Sequence, residues 1–256
     1  MAELVGSSEA AVSLPPPSIT PVISDDAELA RRGVVRVQVF PCSSSETNLL
    51  PSLCLEHLTE VAPYNAFAED NDYAFYKNIM EDCPFPCDVV FSAIAPALLE
   101  HFVSDLSEIR LDDVFVVHYN EQHSDSTVAR HMDPSDITIN VNLERSDDLE
   151  GSQLLFYGTK RLKGFIGTDG ESSSSSSSSS SCSASPPPST RVTSLPDDPS
   201  PAEEKFLVDT KLGFCTVHYG SHPHEVLSLK KGRRTNVVLT YVFTDKSKSG
   251  ATRTCF

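Results

Sequence analysis

Asp136-Ile-Thr-Ile-Asn-Val-Asn-Leu143 alternates without a break: Ile137, Ile139, Val141 and Leu143 take one face, Thr138, Asn140 and Asn142 the other. A period of two is that of a strand with one face in a core and one in a polar setting. Upstream, Val114-Phe-Val-Val-His-Tyr119 is β-branched and aromatic and reads as a strand. Downstream, Ser152–Tyr157, Gly213–Tyr219, His224–Leu229 and Thr235–Phe243 have the same character. Lys230-Lys-Gly-Arg233 reads as a tight turn with Gly232 at its strained position. The first half differs. After one strand, Val34–Phe40, helices are expected at about 50–61 and 72–82. A clearer helix is expected from Ser92 as N-cap, with Pro96 in its first turn and Ile94, Leu98, Leu99, Phe102, Val103, Leu106 and Ile109 on its apolar side. Helices followed by short strands define an α+β chain with a sheet sandwich or barrel.

The rest of the 256 residues divides by composition. Residues 1–30, rich in Ser, Pro and Ala, read as a disordered arm, and 31–112 as a helical support region with the first strand. The strand-rich core occupies 113–167 and 205–245, with 246–256 as a tail. Between the two core parts, 168–204 holds ten consecutive serines (172–181) and six prolines from Pro186 to Pro201, a disordered Ser/Pro insertion unable to bury enough apolar surface to order itself. These segments lower the hydrophobic fraction to 39% without weakening the core.

The net charge of −16 argues against a nucleic-acid backbone as partner, since phosphate binding needs clustered Lys and Arg. The charge is uneven, with nine basic against three acidic residues in 205–256. No stretch approaches the roughly 20 apolar residues of a membrane span, and Met1-Ala-Glu-Leu-Val5 lacks the basic and apolar regions of a signal peptide. The seven scattered cysteines include one close pair, Cys83-Pro-Phe-Pro-Cys87, either a metal or redox clip or a Pro-stiffened turn with reduced thiols. With no second pair to complete a zinc site the turn is favoured, and a cytosolic or nuclear setting follows.

Four of the eight histidines fall in two short strand-rich segments. In Ala129-Arg-His131-Met-Asp133, His131 and Asp133 project to one side of an extended chain, offering an imidazole and a carboxylate together. His218-Tyr-Gly-Ser-His222-Pro-His224 can supply a third ligand, giving the facial triad of non-haem iron oxygenases. Ten residues beyond His224 stands Arg234, which opens an apolar strand and is thus unlike the solvated turn residues Lys230 and Lys231. A glycine turn between His224 and Arg234 would lay the two on adjacent antiparallel strands, where a guanidinium can take a carboxylate in bidentate fashion.

Together Tyr119, His131-Met-Asp133, Asp136–Leu143, Glu150-Gly151-x-x-Leu154-x-Phe156 and His218-x-Gly220-x-x-x-His224-x-Val226 through Gly232-x-Arg234 resemble the 2-oxoglutarate and Fe(II)-dependent dioxygenases, in the prolyl 4-hydroxylase-like branch that includes procollagen lysyl hydroxylases. The resemblance implies a double-stranded β-helix, or jelly-roll, with supporting N-terminal helices. It implies iron on His131, Asp133 and His224, 2-oxoglutarate held by Arg234 with Tyr119 in contact, and ascorbate as an accessory reductant. Thr138 and Asn140 would line the same pocket. The implied reaction hydroxylates an unactivated C–H bond of a prolyl or lysyl side chain in a protein or peptide, releasing succinate and carbon dioxide. Two departures stand out: Glu150-Gly151-Ser152 replaces the Gly-Gly of many relatives, and the Ser/Pro insertion lengthens the Asp133-to-His224 interval. His222 competes with His224, which is preferred for its spacing to Arg234; His218 and His222 are then either groups that support the ligands from behind or surface groups, with plain rim polarity as the simpler reading. AlkB-type nucleic-acid demethylases are the runner-up, but they carry a second arginine six residues after the first, where this chain has Thr240. A non-catalytic jelly-roll binding module is the other alternative, and it gives no reason for all four site residues to be present.

Overall fold

The computed structural model describes residues 20–58, 76–79, 85–121, 126–163 and 204–249. Among them the chain is mostly β, folded into two facing sheets. The larger sheet holds β2 (Val34–Gln38), β3 (Tyr76–Asn78), β4 (Ile109–Asn120), β6 (Ile137–Arg145), β10 (Phe214–Tyr219) and β13 (Arg233–Phe243), in the spatial order β2-β10-β6-β13-β4-β3. The smaller holds β1 (Val22–Ile23), β5 (Val128–His131), β8 (Leu154–Tyr157), β9 (Lys205–Val208) and β11 (His224–Val226), in the order β1-β9-β8-β11-β5. A short ladder joins β7 (Glu150–Gly151) to β12 (Leu229–Lys231).

The two faces of β6 decide the layering. Ile137, Ile139, Val141 and Leu143 are fully buried and pack with Val114, Val116, Cys215, Val217, Val237 and Leu239 against helix α2 (Cys87–His101), through its residues Val90, Ile94 and Leu98. A second cluster, with Phe156, Phe206, Leu154, Val208, Val226 and Tyr119, fills part of the space between the sheets. The polar face of β6 turns toward that inter-sheet space.

Helix content is lower than the sequence suggests. The described part of 50–61 is turns plus one 3-10 turn, Glu56–Leu58. Of the segment expected as a helix over 72–82, residues 76–79 are described and supply β3, which pairs along the open edge of β4 at Tyr76↔Val117. Helix α2 begins at Cys87, ahead of the expected Ser92, and Pro96 lies inside it. An interior proline costs about 3 kcal/mol, but burying Val90, Ile94 and Leu98 returns about 2 kcal/mol apiece. Ser92 hydrogen-bonds backward to the Asp88 carbonyl at 2.7 Å, Leu99 is exposed, and Ile109 opens β4.

Of the arm expected to be disordered over 1–30, residues 20–30 are described, and they hold a strand and most of a helix. β1 pairs in parallel with β9. Helix α1 (Asp26–Arg31) is capped by the Asp25 carboxylate, which accepts from the Glu28 amide at 2.8 Å. The buried Arg36 donates to Asp26 Oδ1 at 2.9 Å and to the Asp209 carbonyl at 3.0 Å, fastening α1 to the sheet. Cys83 and the Ser/Pro insertion up to residue 203 lie outside the described residues. Cys87 opens α2.

Candidate metal centre and its arginine-lined cavity

His131 ends β5 and His224 begins β11, and the two are directly paired across the ladder, His224↔His131. Asp133 follows β5 by two residues, in a loop whose backbone is fastened to Gly220: the Asp133 amide donates to the Gly220 carbonyl at 2.9 Å and the Gly220 amide to the Asp136 carbonyl at 3.0 Å. Gly220 is required by this approach, because a Cβ there would lie 2.1 Å from the Ser135 carbonyl oxygen. One ligand atom from each of His131, Asp133 and His224 falls within 4.8 Å of the others. Asp133 Oδ1 lies 3.3 Å from His131 Nε2 and 3.8 Å from His224 Nε2.

The imidazoles are already aimed. His131 Nδ1 donates to the Ala129 carbonyl at 2.8 Å, and His224 Nδ1 to the His222 carbonyl at 2.9 Å. A carbonyl only accepts, so in each neutral ring the proton sits on Nδ1 and the Nε2 lone pair faces Asp133. Burial alone would raise the Asp133 carboxyl, but when the rings carry a second proton, on Nε2, the hydrogen bond from His131 and the imidazolium charges outweigh it and hold the group well below the usual carboxylate range. Burial lowers His224, while for His131 the Asp133 carboxylate overcomes burial and raises it. Two imidazoles and an ionised carboxylate on one side of a cavity suit a divalent transition metal with open positions, such as ferrous iron.

The cavity, about 300 Å³, lies between the sheets. His131, Asp133, His218 and His224 line it together with Tyr119, Thr138, Asn140, Asn236 and Arg234, and Phe115, Val117 and Val238 add apolar wall. Arg234 is only 1% exposed. Its Nη1 donates to the Ser152 carbonyl, its Cζ stands 5.0 Å from the centre of the Tyr119 ring, and its Nε has no partner. Burial pushes its pKa below the ordinary arginine value, opposed by Tyr119, yet guanidinium stays protonated at neutral pH. Among the described residues no carboxylate pairs with it. A desolvated cation with a free donor is costly unless an anion joins it, and the five-carbon diacid 2-oxoglutarate is of a kind that fits.

His131, Asp133, His224, Arg234 and Tyr119 thus meet in one cavity, with Thr138 and Asn140 beside them. The route by which His224 and Arg234 meet differs from the expected one. They are not on paired strands: β11 belongs to the smaller sheet and β13 to the larger, and β12 between them pairs with β7. Gly232, at φ +83°, bends the chain across the sandwich, so the histidine and arginine approach from opposite walls. Of the readings given to His218 and His222, burial beside the ligands holds and the rim does not. Both are buried, the His218 ring 4.8 Å and 5.1 Å from those of His224 and Phe156, and the His222 ring 4.9 Å from Phe156. Burial, then the neighbouring His224, pushes His218 down to about 3; burial pushes His222 down to about 4. Asn236, whose Nδ2 donates to Asn140 Oδ1, was missed as a lining residue; counting by two from Arg234 along its strand puts Asn236 and Val238 on the arginine's face.

No protein-family model and no curated protein matches the sequence. Solved structures do match in fold. An oxidoreductase of the 2OG-Fe(II) oxygenase family from Burkholderia pseudomallei aligns with a TM-score of 0.51 at 11% identity, covering 88% of this chain and 95% of that one. AviO1 from Streptomyces viridochromogenes Tue57 aligns at 0.50 and 14% identity, covering 86% and 96%. A Pseudomonas putida prolyl-4-hydroxylase aligns at 0.45 and 14% identity, covering 85% and 96%. The two-sheet sandwich is therefore of the jelly-roll kind found in 2OG-Fe(II) oxygenases, a fold that carries oxidoreductase enzymes.

Proposed function

We propose that the chain is an Fe(II)- and 2-oxoglutarate-dependent dioxygenase, built on a double-stranded β-helix, that hydroxylates an unactivated C–H bond. The observation that carries this reading is the placement of a buried, anion-seeking Arg234 across one cavity from the His131–Asp133–His224 cluster. His131, Asp133 and His224 would hold the metal, each aimed by its own hydrogen bond. Arg234 would take the distal carboxylate of 2-oxoglutarate, with Tyr119 packed on the guanidinium. Phe115, Val117 and Val238 would give the space between an apolar wall. When bound, iron with 2-oxoglutarate and dioxygen supplies the oxidising power, and the keto acid leaves as succinate and carbon dioxide.

The substrate class in this proposal is a prolyl or lysyl side chain of a protein or peptide, with ascorbate as the reductant that keeps the iron ferrous, in the cytosol or nucleus and without nucleic-acid or membrane partners. The sequence resemblance supports the substrate; Thr240, in place of a second arginine, disfavours the nucleic-acid alternative. Among the described residues no helix is long and apolar enough to cross a membrane. The test is anaerobic addition of Fe(II) and 2-oxoglutarate, which should produce a weak visible charge-transfer band, followed by air and a proteome digest, scored for succinate and for peptides that gain one oxygen atom. Absence of both band and succinate rejects the enzyme reading; oxygen gain on nucleic acid alone rejects the substrate class.

A further inference from the structure

The second oxygen of Asp133 is held by a built arrangement. Thr138 donates its hydroxyl proton to Asp133 Oδ2 at 2.5 Å, and Ser135 Oγ lies 2.9 Å from Thr138 Oγ1. An ionised carboxylate only accepts, so the Thr138 proton points to Asp133 and Ser135 must donate to Thr138. The chain of donors therefore has one direction, Ser135 to Thr138 to Asp133. Both hydroxyl residues are buried, Ser135 at 2% and Thr138 at 3% exposed. Thr138 sits on the rigid interior of β6, whereas Asp133 sits on a loop fastened through Gly220. Oδ1, in contrast, is the oxygen that faces both imidazole Nε2 atoms.

We propose that Thr138 is a positioning residue which would commit Asp133 to the metal through Oδ1 alone, and so leave room on the metal for the cosubstrate and dioxygen. The inference rests on the iron-site reading above and deepens it. With Oδ2 engaged by Thr138, rotation of the carboxylate into a two-oxygen grip on the metal breaks a hydrogen bond and leaves the buried Thr138 hydroxyl without an acceptor. Without the Thr138 hydroxyl that rotation is free, and the carboxylate can occupy a position that 2-oxoglutarate needs.

The experiment titrates the full-length apoprotein with Fe(II), and in parallel with Co(II), under anaerobic conditions, then adds 2-oxoglutarate. Thr138→Val preserves shape and removes the donor; Thr138→Ser preserves the donor. Outer partners of metal ligands are worth about 10–100-fold in metal affinity, so Thr138→Val should bind Fe(II) weaker by that factor and Thr138→Ser within about threefold of wild type. The Co(II) ligand-field band should lose intensity in the Val variant alone, as expected when a second carboxylate oxygen raises the coordination number. Wild-type affinity and spectrum in Thr138→Val overturn the inference, as does a Ser variant as impaired as the Val variant. If Val is not accommodated, as judged by unfolding of the apoprotein, Thr138→Ala against Thr138→Ser gives the same contrast. A wild-type protein that binds no Fe(II) fails the functional reading itself, an outcome distinct from wild-type binding matched by the Val variant.

Discussion

Replacing Arg234 with Met separates the cost of the arginine from its use. In the free protein the guanidinium is 1% exposed, keeps one donor unpaired, and has no carboxylate partner among the described residues. Exchange for an apolar chain of similar length removes a desolvated charge and loses the donation to Ser152, so unliganded stability should change by no more than about 2 kcal/mol. In the complex the same exchange leaves a buried carboxylate unpaired, which costs about 3–5 kcal/mol, or roughly two to four decades in 2-oxoglutarate affinity. The assay is thermal unfolding with Mn(II) in place of iron, with and without 2-oxoglutarate at about one hundred times the wild-type Kd. The wild type should gain about 2.7 kcal/mol and the variant less than about 0.4 kcal/mol. For a domain of this size the first is a rise of about 5–10 °C and the second about 1 °C. A variant that keeps the full ligand-induced rise refutes the clamp. A variant that collapses without ligand shows instead that Arg234 serves the fold.

Three further outcomes are expected. His218, His222 and His224 have folded pKa values below that of a free imidazole, so their stabilising contribution is complete above about pH 6.5 and is lost as pH falls toward the folded values of about 3 and 4 for the first two. His131 shifts upward and works in the opposite sense, its contribution present in acid and lost as pH rises through its folded pKa. The balance predicts urea midpoints of the metal-free protein that fall between pH 7 and 5, by up to about 1.4 kcal/mol per pH unit per net histidine; a flat profile contradicts it. Gly220→Ala should cost at least about 2 kcal/mol and weaken Fe(II) binding, because its Cβ meets the Ser135 carbonyl in the loop that carries Asp133; near-wild-type unfolding and metal titration would show that the loop yields freely. Deleting the serines 172–181 should leave the melting temperature and Fe(II) affinity unchanged, since β8 and β9 pair at Tyr157↔Lys205 whatever the length of chain between them, and shortening a long loop changes closure entropy by only a few tenths of a kcal/mol. A loss of several degrees would assign those serines a packed role.

What the sequence made legible was whatever has a short period or a short reach. The alternation of β6 set both the core face and the polar face, and His131 with Asp133 is a local pair that any extended backbone places side by side. Arg234 could be singled out because a lone cation heads an apolar strand. The misreadings came from tertiary context. Tyr76–Asn78 is a strand because β4 offers an open edge, and α2 runs through Pro96 because the sheet face beneath it rewards an earlier start. The lateral pairing of His224 with Arg234 was wrong because hairpin logic assumed that strands joined by a glycine bend remain in one sheet, whereas here the bend changes sheets. The burial of His218 and His222 under Phe156 has no local signature, since alternation along β10 says which way a side chain points and not what covers it.

That change of sheets at Gly232 has a mechanical meaning. His131 and His224 hang from one wall of the sandwich and Arg234 from the other, and apolar side chains such as Leu154, Val226 and Val238 line the cavity between them. Under the proposed function a diacid reaching from metal to guanidinium would act as a tie rod whose length is fixed by chemistry, while the gap it must span is lined by apolar side chains. Trimming or thickening that lining by a methylene would then be a gauge adjustment, able to select among keto acids of different length with every polar contact left in place.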